Sequence, residues 1–370
     1  MPDSAIPALL DRLHEAAASD RNQRRGQTRP TIGVGMEDPI VWTVLYGFDA
    51  RRYFADPAFY LEQNLRQKLW RFESIDDDTP LTLDVPAWLG HYPEYTFFGM
   101  DVSVNARGVP RLQKDHPMTR NADLSLLGPV DFKTSGWMPR AFEWYEALQR
   151  LADGRITIGF VTWNRGCLDL AIQLRGYNNF ILDTIERPEF IHDLLRFLVE
   201  QRNAWYTACA AHFGTQVGPT WVADDWIYVP YISPAIFADF CLPRYLDIER
   251  HHGVLGGLHS CGNQTPIQKY MLEIKSLGGF EVSPWTDLTQ TLINVPPEKH
   301  LGVSVHPNDV LVASPEEMER KLRFIAESCA GRSYSVGTSG LTPIFEGHQE
   351  TEFLRRINQW LEAAHRTLRG

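Results

Sequence analysis

The stretch that decides the fold covers residues 219 to 261 and reads PTWVADDWIYVPYISPAIFADFCLPRYLDIERHHGVLGGLHSC. It begins and ends with short apolar runs, and residues 233–252 between them show a helical pattern. Ser233 can cap the first turn of that helix, and Pro234 suits the first helical position. A strand, a helix and a second strand in this order are typical of a parallel sheet with crossover helices.

The same unit recurs along the chain. Eight short runs rich in apolar residues are predicted as strands: 31–36, 81–88, 156–163, 219–226, 253–261, 278–285, 301–306 and 333–338. Helical patterns lie between most of them, such as residues 314–329, which begin with a capping serine followed by acidic residues. Eight strand-helix units predict a (β/α)8 TIM barrel. The alternative is an open doubly wound sheet, but no GxGxxG follows any strand.

The predicted domain organisation is simple. Residues 1–30 form an N-terminal helix and a polar linker, and residues 31–370 form a single barrel domain. A small β insertion follows strand two, in residues 95–105 and 109–117, where Gly and Pro turns suggest a meander. We expect this insertion to form a lid or an edge of the barrel mouth.

Composition narrows the function. A net charge of -10 argues against nucleic acid as a partner, because such proteins normally present a basic face. Five cysteines, an odd and scattered number, do not suggest a disulfide framework and indicate a reducing compartment. The sequence shows neither a membrane-spanning apolar run nor a signal peptide. We expect a cytoplasmic protein of unknown oligomeric state.

Polar residues cluster where the predicted strands end, which in TIM barrels is the face that carries the active site. The residues at these ends are Glu37, Asp38, Asp224, Asp225, His259, Ser260, Cys261, Ser283, His306, Thr338 and Ser339. Strands buried on both faces should read almost purely apolar, so this pattern indicates a solvated or ligand-filled mouth.

The sequence HSCGN at residues 259–263 is the most specific of these signals. His259 and Cys261 are two residues apart, so on a strand their side chains point to the same side. An imidazole nitrogen and a thiolate can then bind one metal ion. The alternative is a packed histidine beside an inert cysteine, because two ligands do not make a tetrahedral site.

Asp224 and Asp225 must point in opposite directions, since they are adjacent on a strand. Asp225 would share a face with Trp221 and Ala223, and the sequence alone does not say which face is inside. The inward carboxylate could orient a metal-bound histidine or act as a general acid or base. The alternative is a helix cap or a salt bridge.

The mouth is also rich in aromatic residues. Those at or near strand ends are Trp42, Trp88, Trp163, Trp226 and Trp285, with Tyr46 and Tyr228 nearby. They could wall a pocket for a planar or methylated ligand, including a cation held by cation-π contact. They could equally serve as packing residues. The predicted substrate-binding set consists of the five tryptophans with Tyr228, Ser283 and Thr338.

The residues 256–263, GGLHSCGN, resemble the HxCG signature of the zinc-dependent methyltransferases in the uroporphyrinogen decarboxylase-like superfamily. WVADDW with ISPAIFADFCLPRY, the segment LDLAIQLRGYNNFILDTIERPEFIHDLL and SVHPNDVLVASPEEMERKL are also similar to that superfamily. The similarity runs from about residue 150 to the C-terminus. It implies a zinc ion held by His259, Cys261 and a second cysteine at the end of strand eight, where a thiol accepts a methyl group from a corrinoid.

The chain departs from that family pattern at strand eight. Thr338 stands where the second cysteine would be, and hydroxyls are poor zinc ligands. His306, at the end of strand seven, could complete a set with His259 and Cys261. Three carboxylates could serve instead, namely Glu37, Asp224 and Asp225.

The second departure concerns the decarboxylase itself, which has an arginine-rich MRQAGR segment on its first loop. Here the first strand leads into GMEDPIVW, and an acidic site would repel a polycarboxylate such as uroporphyrinogen. Arg24, Arg25 and Arg29 lie upstream and could reach the mouth, although a solvated linker is the expected role.

The predicted function is a metal-dependent methyltransferase or demethylase, with zinc the expected metal, acting on a small organic substrate. Its catalytic candidates are Glu37, Asp224 and Asp225, and a transferase is favoured over a carboxy-lyase. The alternatives are a decarboxylase of another substrate, or a non-catalytic partner of a corrinoid protein. No DxHxxG cobalamin motif occurs, so any corrinoid would arrive on another protein.

Overall fold

A computed structural model describes residues 5–27, 29–37, 39–106, 108, 110–113 and 115–369. Asp38, which we predicted at the barrel mouth, lies outside the described residues. A strand forms at each of the eight predicted positions. The eight are β1 (Thr31–Gly33), β2 (Asp84–Pro86), β5 (Thr157–Gly159), β6 (Thr220–Ala223), β7 (Leu255–His259), β8 (Gly279–Val282), β9 (His300–Val305) and β10 (Tyr334–Thr338).

All the pairings between these eight strands are parallel, and they fall into three sheets whose order fits a barrel. One sheet runs β1-β10-β9-β8, and β2 pairs with β5 and β6 with β7. A bridge between Arg165 and Ala223 continues the order from β5 to β6. The first strand pairs with the last, with Thr31 opposite Ser335, which an open doubly wound sheet would not do. The predicted TIM-barrel class is therefore confirmed.

The strand order has two junctions at which, in the described part of the chain, side chains take the place of a backbone ladder. On the free edge of β1, the backbone amides of Ile32 and Val34 donate to the carboxylates of Asp78 and Asp77. Beside β7, the amide of Leu255 donates to the hydroxyl of Ser276 at 2.8 Å. The buried amides are thus satisfied at both junctions.

Helices cover the outside of the strands. Their bounds are α1 Ile6–Ala17, α2 Asp20–Arg24, α3 Ile40–Tyr46, α4 Ala50–Tyr53, α5 Pro57–Ser74, α6 Pro93–Thr96, α7 Met138–Ala152, α8 Cys167–Arg175, α9 Tyr177–Glu186, α10 Pro188–Phe213, α11 Pro234–Ile236, α12 Leu242–His252, α13 Gln268–Met271, α14 Leu288–Asn294, α15 Pro307–Leu311, α16 Pro315–Ser328 and α17 Gln349–Arg369. Ser233 and Ser314 cap α11 and α16, as predicted. A π-helical turn, Phe237–Cys241, joins α11 to α12. None of the helices in the described ranges is both long and apolar enough to cross a membrane.

Burial alternates along the strands and separates the helix-facing side from the barrel interior. In β9, Leu301, Val303 and Val305 are buried in the hydrophobic core, whereas Gly302 between them is half-buried. Gly302 pairs with Glu281 on β8, whose side chain reaches His259 at the end of β7. The half-buried side is therefore the interior, and small residues there leave room beside the mouth.

The N-terminal segment packs against the barrel domain. Residues 20–24 of the expected linker form α2, and Arg25 is buried. Its guanidinium donates to the backbone carbonyl oxygens of Phe72, Ile75 and Thr79, which corrects the expectation of a solvated linker at this residue. The predicted β insertion forms an antiparallel pair, β3 (Val102–Ser103) and β4 (Arg111–Leu112).

Candidate metal and substrate site

A cavity of about 560 Å³ opens at the carboxyl ends of β2, β5, β6 and β7. Its lining combines carboxylates, an arginine, aromatic rings and the HSCGN residues predicted to bind a metal. Glu37, Trp88, Arg165, Trp221, Asp225, His259 and Cys261 all line it. This is the face at which TIM barrels carry their active sites.

A sulfur, a nitrogen and an oxygen atom meet at one side of this cavity. The His259 Nε2 atom lies 3.4 Å from the Cys261 Sγ atom and 3.7 Å from the Asp225 Oδ1 atom, and the Sγ and Oδ1 atoms are 3.6 Å apart. Tetrahedral zinc with bonds of about 2.0–2.3 Å places its ligand atoms about 3.3–3.8 Å from one another. Asp225, His259 and Cys261 thus have the spacing and donor types of a zinc site.

Glu281 orients the histidine of this cluster. Its Oε2 atom lies 2.6 Å from the His259 Nδ1 atom. A carboxylate at Nδ1 fixes the ring so that Nε2 faces Cys261 and Asp225. Burial opposes the charged imidazole, but hydrogen bonds to Cys261 and Glu281 outweigh burial and raise the pKa of His259 to about 10. A metal ion would have to displace that proton.

Arg165 orients the carboxylate of the cluster. Its Nη1 atom donates to Asp225 Oδ2 at 2.6 Å and to Asp169 at 2.8 Å, and its Nε atom donates to the carbonyl oxygen of His91. Burial would raise the pKa of Asp225, but Arg165 outweighs it and lowers the pKa. Asp225 therefore stays ionised, and its Oδ1 atom faces the histidine and the cysteine.

Asp224 points away from the cavity, which settles the choice between the two aspartates. It is completely buried and accepts hydrogen bonds from the backbone amides of Leu168 and Asp169, at 3.0 and 2.9 Å, and from the Tyr245 hydroxyl at 2.8 Å. A Cβ atom at Gly166 would lie 2.0 Å from its Oδ2 atom, so only glycine lets α8 begin so close. The predicted catalytic role of Asp224 is corrected to an anchor for the start of α8.

Trp221 lies on the inward face of β6 with Ala223 and Asp225, as the alternation of the strand predicts. Its ring is nearly parallel to that of His259, at 29°, with the centroids 6.0 Å apart. A Cβ atom at Gly257 would lie 2.4 Å from Trp221 Cδ1, so the indole lies against the β7 backbone. Trp221 is 42% exposed, which leaves part of the ring open to the cavity.

The predicted aromatic residues divide into three groups. Trp88 lines the cavity, whereas Trp42 and Trp163 are buried in the core, which corrects their assignment to the substrate pocket. Trp226 stacks on Tyr177 at 5.4 Å, and Trp285 is 55% exposed with its edge near His306. Tyr228 lies close to Gly262, beside the HSCGN turn. None of these three lines the cavity, which corrects their assignment to the substrate pocket.

The ends of β8, β9 and β10 carry Ser283, His306 and Thr338, whose side chains form hydrogen bonds with backbone groups. His306 accepts from the amide of Asn308 and caps α15, and it is not part of the Asp225, His259 and Cys261 cluster. Thr338 is buried, and its hydroxyl bonds the backbone of Gly35, away from the cluster. Both residues are thus committed elsewhere, which corrects the ligand set that included His306 and the substrate-binding set that included Thr338. Ser283 donates to the carbonyl oxygen of Gly262 and supports the turn.

Glu37 lines the cavity, and its side chain forms no ion pair with any residue that the structure describes. Burial, and then the charge of Asp225, raise the pKa of Glu37.

Two residues of the site that the sequence analysis did not predict are Glu281 and Arg165. A charged residue within the apolar run GGFEV signals Glu281, and Arg165 lies only two residues beyond the predicted end of strand three.

The sequence profile of the uroporphyrinogen decarboxylase (URO-D) family matches residues 93–340, which is more than half of the chain. The chain belongs to this family, and the match begins at residue 93, well before the region of motif similarity that starts near residue 150. Among solved structures, a methyltransferase from Methanosarcina mazei aligns with a TM-score of 0.64 over 96% of this chain and 98% of its own, at 16% identity. At that identity the likeness shows a shared fold. No curated protein matches the sequence.

Proposed function

We propose that this chain is a metal-dependent methyltransferase in which zinc, held by Asp225, His259 and Cys261, activates a small organic thiol as methyl acceptor. The observation that carries the proposal is the sulfur, nitrogen and oxygen cluster, with separations of 3.4–3.7 Å. Membership of the URO-D family and a fold shared with a methyltransferase support it.

The donor atoms fit a catalytic zinc ion rather than a structural one. Catalytic zinc sites use three protein ligands and keep the fourth position open for a reactant. Here three ligands lie at the wall of a cavity large enough for a small molecule. Each of two ligands is also held by a neighbouring charge, His259 by Glu281 and Asp225 by Arg165. Such supporting partners are characteristic of metal centres.

The metal would stabilise the thiolate form of the acceptor near neutral pH, below the usual thiol pKa of about 8.5. The residues of the chain then do the remaining work. Glu281 keeps the His259 Nδ1 atom hydrogen-bonded, so that Nε2 remains a ligand. We assign the proton of the acceptor thiol to the solvent, and Glu37, a cavity carboxylate without an ion pair in the described residues, to the negative charge of the cavity wall.

The charges of the cavity favour methyl transfer over decarboxylation. A decarboxylase needs a cation that is free to hold the substrate carboxylate. Among the described lining residues, Arg165 is the one arginine or lysine, and it already binds Asp169 and Asp225. Burial, and then Arg165, lower the pKa of His91 to about 4, so this histidine is neutral at physiological pH.

The methyl donor is the second reactant. The family resemblance of HSCGN implies a corrinoid carried by another protein, so methylcobalamin and a methylated corrinoid protein are the first donors to test. The exposed Cys261 must remain a thiol for this function. We therefore propose a reducing, cytoplasmic setting.

The decisive experiment is metal content with matched variants. Wild-type protein should hold about one zinc per chain by elemental analysis, and Asp225→Asn, His259→Ala and Cys261→Ser should each lose most of it. Cys209→Ser, a half-buried cysteine on α10 outside the cluster, is the matched control and should keep its metal. A wild-type protein that remains metal-free after zinc incubation contradicts the proposal.

Thiol activation has a readout of its own. Cobalt-substituted protein should show the charge-transfer absorption of a cobalt-thiolate bond from Cys261, and added ethanethiol should intensify it. An unchanged spectrum across saturating thiol would show that the acceptor does not reach the metal. Methylcobalamin demethylation that depends on both zinc and thiol then completes the test.

A further inference from the structure

The cavity beside the metal cluster has aromatic walls that face a common space. Trp88, Tyr92 and Trp221 line it. Trp221 rests on the β7 backbone at Gly257, yet 42% of this residue remains exposed beside His259. Tryptophan is the aromatic residue that binds cations most strongly through its ring face. A partly exposed indole next to a reactive centre is thus a platform for a cation.

Two carboxylates of the cavity also favour a cation. Glu37 and Asp225 line it. Arg165, its one arginine or lysine within the described residues, is matched by Asp169 and Asp225. The two positive charges of a zinc ion would be balanced by the negative charges of its ligands Asp225 and Cys261. The negative charge of Glu37 would then have no positive partner among the described residues. An anionic substrate would be repelled, and a cationic one attracted.

We infer that the substrate group bound between Trp221, Trp88 and Glu37 is a methylated onium cation, which serves as a second methyl donor beside the corrinoid of the proposed function. This inference rests on the proposed function, since the acceptor is the activated thiol. In the transfer, the thiolate sulfur forms a bond to the methyl carbon while the bond from that carbon to the onium centre breaks. Both electrons of the broken bond stay on the leaving amine or sulfide, which departs neutral. No oxidant or reductant is needed.

The observations distinguish this donor from a neutral aromatic one. A neutral planar ring could also stack on Trp221, but it would leave the charge of Glu37 unbalanced in a partly buried cavity. A cation satisfies the ring face and the carboxylate together. Charge, rather than shape alone, should therefore decide binding.

Calorimetric titration of choline against 3,3-dimethyl-1-butanol tests this directly, because the two molecules have nearly the same shape and only choline is charged. Choline should bind at least about tenfold more tightly. The sulfonium analogue of choline, titrated in parallel, distinguishes ammonium from sulfonium donors. Equal affinity for choline and the neutral alcohol, or no binding of either cation, overturns the inference.

A pair of variants locates the site. Trp221→Leu keeps an apolar side chain but removes the ring face, and should weaken choline binding roughly threefold to thirtyfold. Trp226→Leu is the matched control, because Trp226 follows the same strand but stacks on Tyr177 outside the cavity. Equal losses in both variants would overturn the assignment to Trp221. Circular dichroism of each variant checks that the fold is intact.

The same samples separate the failure of this inference from the failure of the proposed function. Zinc content is measured on each preparation before titration. Zinc-loaded protein that ignores choline refutes the onium donor and leaves the metal-dependent function standing. Protein that binds choline but never zinc supports the cation pocket and refutes methyl transfer to a metal-activated thiol.

Discussion

Replacing Glu281 by Gln should weaken zinc binding about tenfold, and replacing it by Ala should weaken it further, towards a hundredfold. The Glu281 carboxylate lies 2.6 Å from His259 Nδ1, a charge-assisted hydrogen bond of the kind worth about 1.5–3 kcal/mol. The Glu281 side chain is 42% exposed, so water competes and keeps the expected loss near the lower end. A glutamine keeps an acceptor oxygen but loses the charge.

The assay is a competition for zinc against a chromophoric chelator at fixed pH, with thermal unfolding of the metal-free proteins measured alongside. Metal-free Glu281→Gln should melt below metal-free wild type, because without metal the protonated His259 loses its charged partner. Glu249→Gln is a matched control, since Glu249 also accepts two hydrogen bonds, from Ser276, but outside the cavity. Wild-type zinc affinity in both Glu281 variants would refute the supporting role of this carboxylate.

Three further predictions follow from the buried and exposed groups near the mouth. Asp224→Asn should lower the free energy of unfolding by roughly 2–4 kcal/mol in denaturant titrations, because an amide cannot accept all three hydrogen bonds. The folded protein should keep its zinc, and loss of zinc from folded protein would restore a role for Asp224 at the site. Iodoacetamide should label Cys261 first, since burial raises the pKa of the other four thiols, that of Cys209 to about 11. Zinc should protect Cys261 from labelling, and mass spectrometry that finds another cysteine labelled first contradicts the prediction. Thr338→Cys and His306→Ala should leave the zinc dissociation constant within about twofold, because both side chains are committed elsewhere. A larger change in either variant would return the ends of β9 and β10 to the metal site.

Sequence patterns predicted the barrel well because each of its units is locally encoded. Apolar runs place the eight strands, and Ser233 and Ser314 mark two helix starts through interactions within a few residues. The side of β6 that carries Trp221 and Asp225 also follows from strand alternation. These features depend on short-range rules, so a single sequence suffices.

The remaining site residues depend on contacts between distant parts of the chain. Nothing near Asp224 in sequence reveals that the start of α8, 55 residues away, occupies its carboxylate. Trp42 and Trp163 lie close to strand ends, as a pocket residue would, but neighbouring helices bury them. A position at a strand end thus predicts how close a residue lies to the barrel mouth. Only the packed structure shows whether the side chain faces the cavity or is covered by a helix.

The pairing of β1 with β10 also bears on how the molecule is made. Gly35 and Thr338 bond each other across 303 residues, so a ribosome must release almost the whole chain before this contact can form. Until then the edge of β1 that pairs with β10 has no hydrogen-bonding partner, and an unpaired strand edge is prone to aggregation. The other edge is protected early, because Asp77 and Asp78 lie nearby in sequence and bind its amides. Slow, late closure should therefore make this barrel depend on chaperones during synthesis.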